Sequence, residues 1–130
     1  MKRAQKITGV LALHGDVAEH LSVLHTLKAP AAEVRTIKDL DGVSRLIIPG
    51  GESTVISQLL TLANLDTAII ERHRAGTLPI LGTCAGIIVL AKKIEGDHQP
   101  ATLSLLDIDV DRNAYGRQID SFEATLTVKD

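Results

Sequence analysis

Five residues, Gly82-Thr83-Cys84-Ala85-Gly86, set a thiol between two glycines with one residue on either side. This is the form of a nucleophile elbow with cysteine in the serine position. Small flanking residues let a strand turn abruptly into a helix while the central side chain is held strained and exposed. Backbone amides left unpaired where the helix begins stabilise a thiolate and can hydrogen-bond an oxyanion. Free cysteine is also a common buried packing residue. The pentapeptide alone therefore fits either a nucleophile or a small side chain filling a tight turn.

A second segment, Pro49-Gly50-Gly51-Glu52-Ser53-Thr54, places a glycine pair just after an apolar run and just before a helical one. Main chain at Gly51 and Glu52 can approach a ligand closely there, with amides free to bind a carbonyl or its developing negative charge. The same residues also suit an ordinary strand-to-helix turn capped by Ser53. A phosphate loop would need a lysine that this segment lacks.

Both segments need strands to end where they begin. Ile7 to Leu13 is a short apolar run closed by His14-Gly15-Asp16, a buried strand followed by a turn and helix cap, and Val17, Leu21 and Leu24 then follow helical spacing. Residues 32–37 alternate as a strand does, 39–42 carry turn chemistry, and Arg45 to Pro49 is a second buried strand. Helical stretches are expected over about 54–63 and 66–74, closed by Gly76. Pro79 to Thr83 is a further buried strand running into Cys84 and a helical run from Ile87 to Lys93. This alternation predicts an α/β fold: an open, mostly parallel sheet with helices on both faces. Residues 105–110 and 122–128 alternate apolar and polar side chains, which predicts an antiparallel C-terminal portion.

At 130 residues the chain suits one domain, spanning 1–130. It is 45% hydrophobic but 2% aromatic, so the core must be aliphatic, as doubly covered parallel sheets favour. Fourteen basic and sixteen acidic residues, spread along the chain, offer no stripe for a phosphate backbone. No nucleic-acid partner is expected. One cysteine excludes an internal disulfide, and no long apolar run or secretory segment precedes the first strand. The expected setting is the cytoplasm, with no membrane partner.

Taken with Leu11 to His20 and Asp111 to Glu123, the Ile48 to Thr54 and Gly82 to Gly86 segments resemble the class I (triad) glutamine amidotransferases. Among these, the Gly50-Gly51-Glu52-Ser53 and Arg112 to Gln118 pieces are similar to the glutaminase subunits of pyridoxal 5′-phosphate synthase. The match runs in order from about Ile7 onward. The resemblance implies a flavodoxin-like sheet, and it implies that Cys84 attacks the side-chain amide of L-glutamine, giving a glutamyl thioester and ammonia. Gly50, Gly51, Glu52 and Ser53 would line the glutamine site, with amides at Gly51 and Ala85 forming the oxyanion hole. Arg112 would hold the substrate through charge-assisted hydrogen bonds. No metal or organic cofactor is implied, and the implied partner is a (β/α)-barrel synthase subunit that receives the ammonia.

Two features depart from that pattern. The activating His-x-Glu of the family has no counterpart up to Asp130. The domain is therefore expected to be C-terminally incomplete relative to the family, stabilised by self-association if not a fragment, and to hydrolyse little glutamine by itself. Of the five histidines, His20, His25 and His73 fall in expected helices and His98 in a polar loop, and all four read as surface or partly buried side chains. His14 stands where the family carries glutamine, either as a substitute base or as a group that alters the hydrogen bonding around the oxyanion region. Two rivals stay open: a non-catalytic glutamine-binding or synthase-docking module, and a different cysteine enzyme of the same architecture, protease-like or chaperone-like.

Overall fold

A computed structural model describes residues 5–112, 114 and 122–129. Four strands form the main sheet: β1 (Thr8–Leu11), β2 (Ala31–Val34), β3 (Arg45–Ile48) and β4 (Ile80–Gly82). Their spatial order is β2-β1-β3-β4 and every pairing is parallel, with Val10 opposite Ile47 and Ile48 opposite Gly82. The connecting helices are α1 (Val17–Thr26), α2 (Ile37–Asp41), α3 (Ser53–Leu62) and α4 (Leu65–Arg74). A short helix α5 (Ala85–Leu90) follows β4. The α/β fold expected from the alternation of elements is the one observed.

The order of strands explains where a site can form. The chain steps from β1 outward to β2, then crosses back to build β3 and β4 on the other side, so the winding reverses between β1 and β3. At such a switch point the loops leaving the two strands diverge and open a crevice at their carboxyl ends. The turns after β1 and β3, with the Cys84 elbow after the next strand, all lie at that end of the sheet.

The sheet is held by aliphatic packing. Leu46 and Ile48 of β3, Ile56 and Leu60 of α3, and Leu65 and Ile69 of α4 belong to one buried cluster with Val34, Leu40 and Val89. Both helical pairs are four residues apart, so each presents one stripe to the core. Each such side chain contributes roughly 1.5–3 kcal/mol by leaving water. Gly76 closes α4 with φ +76, as a C′ glycine does. No single helix among the described residues is long and apolar enough to cross a membrane.

Three expectations are corrected. The 39–42 turn is the end of α2, whose Thr36 and Asp39 form a reciprocal capping box. The helix after the elbow stops at Leu90 rather than running to Lys93. Amides of Leu103 and Leu105 bind the carbonyls of Val89 and Leu90 at 2.8 and 3.0 Å, satisfying groups a helix end leaves open. Ala91–Ile94 continues as strand β5, its Ala91 and Ile94 inward and two lysines outward. It pairs with β6 (Leu106–Val110) in parallel, not antiparallel, as a separate small sheet. Residues 122–129 are exposed and form no strand, and most of the Arg112 to Glu123 segment that carried the resemblance lies outside the described residues.

Candidate active site

Main chain packs on main chain at the crevice. Gly15, at φ +95, lies so close to the second turn that a Cβ there would meet the Gly50 carbonyl oxygen at 1.8 Å. The Asp16 amide donates to that same oxygen at 3.0 Å. Only glycine permits this approach. Gly51 has φ +152, and a Cβ on it would sit 3.0 Å from both Gly15 Cα and His14 Cδ2. His14 therefore covers Gly51 from the first turn.

The elbow is equally constrained. Cys84 is the N-cap of α5 with φ 50 and ψ −117, a region that costs a non-glycine residue on the order of 1–3 kcal/mol and persists only where neighbours enforce it. The Thr83 amide donates to the Ile48 carbonyl at 3.1 Å, and the Thr83 carbonyl accepts from the Gly86 amide at 2.8 Å. Gly86 lies directly on the end of β3, where a Cβ would be 2.0 Å from the Ile48 oxygen. The Cys84 side chain is exposed. Its Sγ would lie 3.6 Å from a Cβ built on Gly50, and Asp16 Oδ2 only 2.9 Å from the same point. The sulfur thus stands over the glycine pair, in the open crevice.

Beyond the glycines, Glu52 is the N-cap of α3, and its carboxylate accepts from the amides of Thr54 at 3.1 Å and Val55 at 2.9 Å. These two bonds hold its pKa below the ordinary glutamate value, with the nearby Arg112 guanidinium adding to the effect. Arg112 donates from Nη2 to Glu52 Oε1 at 3.2 Å and from Nη1 to Gln99 Oε1 at 3.3 Å and Thr54 Oγ1 at 3.5 Å.

The family's sequence pattern matches residues 10–130 and is that of the SNO glutamine amidotransferase family. The chain belongs to this family. The pyridoxal 5′-phosphate synthase subunit PdxT of Thermus thermophilus is 49% identical over 123 residues, covering 95% of this chain and 64% of that protein. The protein of the same name from Dehalococcoides mccartyi is 53% identical over 122 residues, 93% of this chain and 62% of its own length. The chain thus spans less than two thirds of these relatives. A crystal structure of a glutamine amidotransferase superposes with a TM-score of 0.83 at 45% identity, covering 90% of this chain and 62% of that one. A putative peptidase E from Listeria monocytogenes matches with a TM-score of 0.63 at 18% identity, a likeness of fold alone.

Within the chain, the crevice brings together Cys84, Gly50 and Gly51, with Glu52 and Arg112 paired beside them. Gly51, Glu52 and Cys84 are exposed, whereas Gly50 and Ser53 are buried, Ser53 at 3%. The cap of α3 is Glu52 and not Ser53, because the longer carboxylate reaches back over two open amides. Asp16 holds the N-cap position of α1 but makes no side-chain cap bond; its amide and carbonyl are used instead. Among the described residues the amides of Gly51 and Ala85 have no acceptor, and the Cys84 sulfur has no hydrogen-bond partner. Among the same residues no three His, Cys, Asp or Glu side chains are grouped as a metal centre requires.

The sequence reading missed His20. It reads as a surface or partly buried histidine without a role, yet its Nε2 lies 3.0 Å from Oγ1 of Thr83, the residue before Cys84, and its Nδ1 lies 2.9 Å from the Asp16 carbonyl oxygen. The available signal was its spacing, four residues after Asp16 on the helix that leaves the crevice.

Proposed function

We propose that this chain carries the nucleophile and oxyanion side of a glutaminase site. The thiolate of Cys84 adds to the side-chain carbonyl carbon of L-glutamine, and the carbonyl oxygen takes the negative charge between the Gly51 and Ala85 amides. Collapse of that adduct breaks the C–N bond; the proton given up when the Cys84 thiol ionised passes to the departing nitrogen, which leaves as ammonia, and a glutamyl thioester remains. Water then cleaves the thioester to glutamate and the free thiol. Gly50, Gly51, Glu52 and Ser53 would line the substrate, and Arg112 would attract its carboxylate in exchange for part of the Glu52 pairing.

The observation that carries this reading is the exposed sulfur over Gly50, held there by a strained backbone. In the fuller reading, the ammonia passes to a (β/α)-barrel synthase subunit for pyridoxal 5′-phosphate formation, in the cytoplasm. The names of the relatives, subunits of pyridoxal 5′-phosphate synthase, support the link to that synthase. The unit responsible is a single amidotransferase-like domain, with the base that activates the thiol supplied from outside the residues named here.

The test is covalent labelling with a diazoketone analogue of glutamine. A stoichiometric adduct on Cys84, slowed by glutamine and abolished in Cys84→Ala, is expected. Binding of glutamine without an adduct would instead leave a glutamine-binding module, and neither adduct nor binding would defeat the assignment.

A further inference from the structure

Four hydrogen bonds close a ring around the crevice. The Asp16 amide donates to the Gly50 carbonyl at 3.0 Å, and the Asp16 carbonyl lies 2.9 Å from His20 Nδ1. His20 Nε2 lies 3.0 Å from Thr83 Oγ1, and the Thr83 amide donates to the Ile48 carbonyl at 3.1 Å, two residues from Gly50. The ring runs through all three turns that compose the site. His20 is its one link made on both sides by a side chain.

The chemistry of the partners fixes the direction of each bond. A carbonyl oxygen only accepts, so Nδ1 of His20 carries the proton. In the neutral ring Nε2 is then the acceptor, and the Thr83 hydroxyl donates to it. Thr83 is consequently held at its amide, its carbonyl and its hydroxyl, immediately before the residue whose φ of 50 needs enforcing. His20 spans 63 residues of sequence to do this, from the half-buried face of α1.

We propose that His20 is a positioning residue that, through Thr83, fixes the backbone of the Cys84 elbow and so the place of its sulfur over the glycine pair. The inference rests on Cys84 being the nucleophile of this site. It differs from an activating role, since the imidazole engages a hydroxyl and a carbonyl rather than the sulfur.

The test uses the single cysteine of the chain, whose alkylation by iodoacetamide reads the elbow without any need for turnover. His20→Asn keeps a donor toward the Asp16 carbonyl but cannot reach Thr83, whereas His20→Gln places an acceptor near the position of Nε2. Loss of one neutral hydrogen bond predicts about a threefold to tenfold slower alkylation in His20→Asn and in Thr83→Val. His20→Gln and Thr83→Ser are expected to restore the rate to within about twofold of wild type. The double variant His20→Asn/Thr83→Val should be no slower than the slower single one, because both remove the same bond. Nitrogen-15 spectra of the ring should show the Nδ1–H tautomer in the native chain.

Wild-type alkylation in His20→Asn, or additive losses in the double variant, would overturn the proposal, as would an Nε2–H tautomer. If His20→Asn does not fold, the Thr83→Val and Thr83→Ser pair decides alone: equal rates for the two refute it. Failure of glutamine-analogue labelling in the wild-type chain would defeat the glutaminase reading and leave these ratios interpretable.

Discussion

The carboxyl-end crevice and the outer edge of β4 are held by opposite means. In the crevice, glycines let backbones meet at distances no side chain tolerates, as at Gly15 and Gly86. At the β4 edge, Leu81, Leu106 and Ile87 are 58%, 42% and 39% exposed around a shallow groove that also includes Ile80, Leu90 and Leu105. The crevice is specified by steric exclusion, where a single methyl decides. The edge is specified by apolar pattern, where many side chains of similar character serve. The proposed chemistry belongs to the former, because positioning a sulfur needs backbone atoms that cannot shift.

Gly86→Ala is the sharpest way to break that contrast. Its methyl would fall 2.0 Å from the Ile48 oxygen, a backbone atom of a buried strand that cannot swing aside. We expect a loss of at least about 3 kcal/mol in urea unfolding, or no folded protein. Gly76→Ala is the control: φ is +76 there, but nothing lies within 4 Å, so only the left-handed backbone penalty of about 1–2 kcal/mol applies. Equal losses for the two would show that close approach does not govern the crevice.

Arg72 extends the comparison to a charged side chain. Its guanidinium donates to the carbonyls of Leu40 at 2.6 Å, Val43 at 3.0 Å and Thr77 at 3.1 Å, tying the end of α2 to the loop before β4. Arg72→Ala removes the donor to the Val43 and Thr77 oxygens, while the Leu40 oxygen keeps the Val43 amide at 3.2 Å, and should cost about 2–3 kcal/mol. Arg72→Lys should recover little, because an ammonium cannot fork across three acceptors. Full stability of the lysine variant by thermal melting would refute the forked role.

The parallel sheet was legible because buried strands such as Arg45 to Pro49 and Pro79 to Thr83 are short apolar runs between turn residues, and that signal is local. Cys84 and the Gly50-Gly51 pair were legible for the same reason: each motif lies within a few consecutive residues. What escaped was set by distant contacts. Ala91 to Lys93 reads as helix, but residues 103–105 capture the last helical carbonyls and β5 pairs with β6 in parallel. His20 looked ordinary because its partner Thr83 is 63 residues away. Residues 122–128 show the converse: their alternation suits a strand, but a strand exists only when another pairs with it.

Glu52 offers a smaller and pH-dependent effect. Its carboxylate is stabilised first by the Thr54 amide, then by the Val55 amide, with Arg112 contributing, so its folded pKa is below the ordinary 4.5. The unfolded chain then binds more protons between the two values, so stability falls as pH falls through that window. The contribution is full above about pH 4.5 and gone once the folded carboxylate is protonated. Glu52→Gln should cost about 0.5–1 kcal/mol at neutral pH, since the pair with Arg112 is solvent-screened. Its stability curve should converge on that of wild type in acid. Curves that stay parallel down to pH 2 would assign the difference to packing instead of charge.

Leu81→Thr marks the small end. At 58% exposure on an edge strand, the leucine loses little by becoming a smaller β-branched residue, and the change should stay within about 0.5 kcal/mol. Leu60→Ala, in the core at 1% exposed, should cost about 2–5 kcal/mol by comparison. Leu81 therefore discriminates between a bare edge and a covered one. If Leu81→Thr loses more than about 1.5 kcal/mol, and the loss grows with protein concentration, a second copy covers the groove in solution and the edge is an interface. A loss independent of concentration would mean that the chain itself closes over β4, and the contrast with the crevice would narrow to the glycines alone.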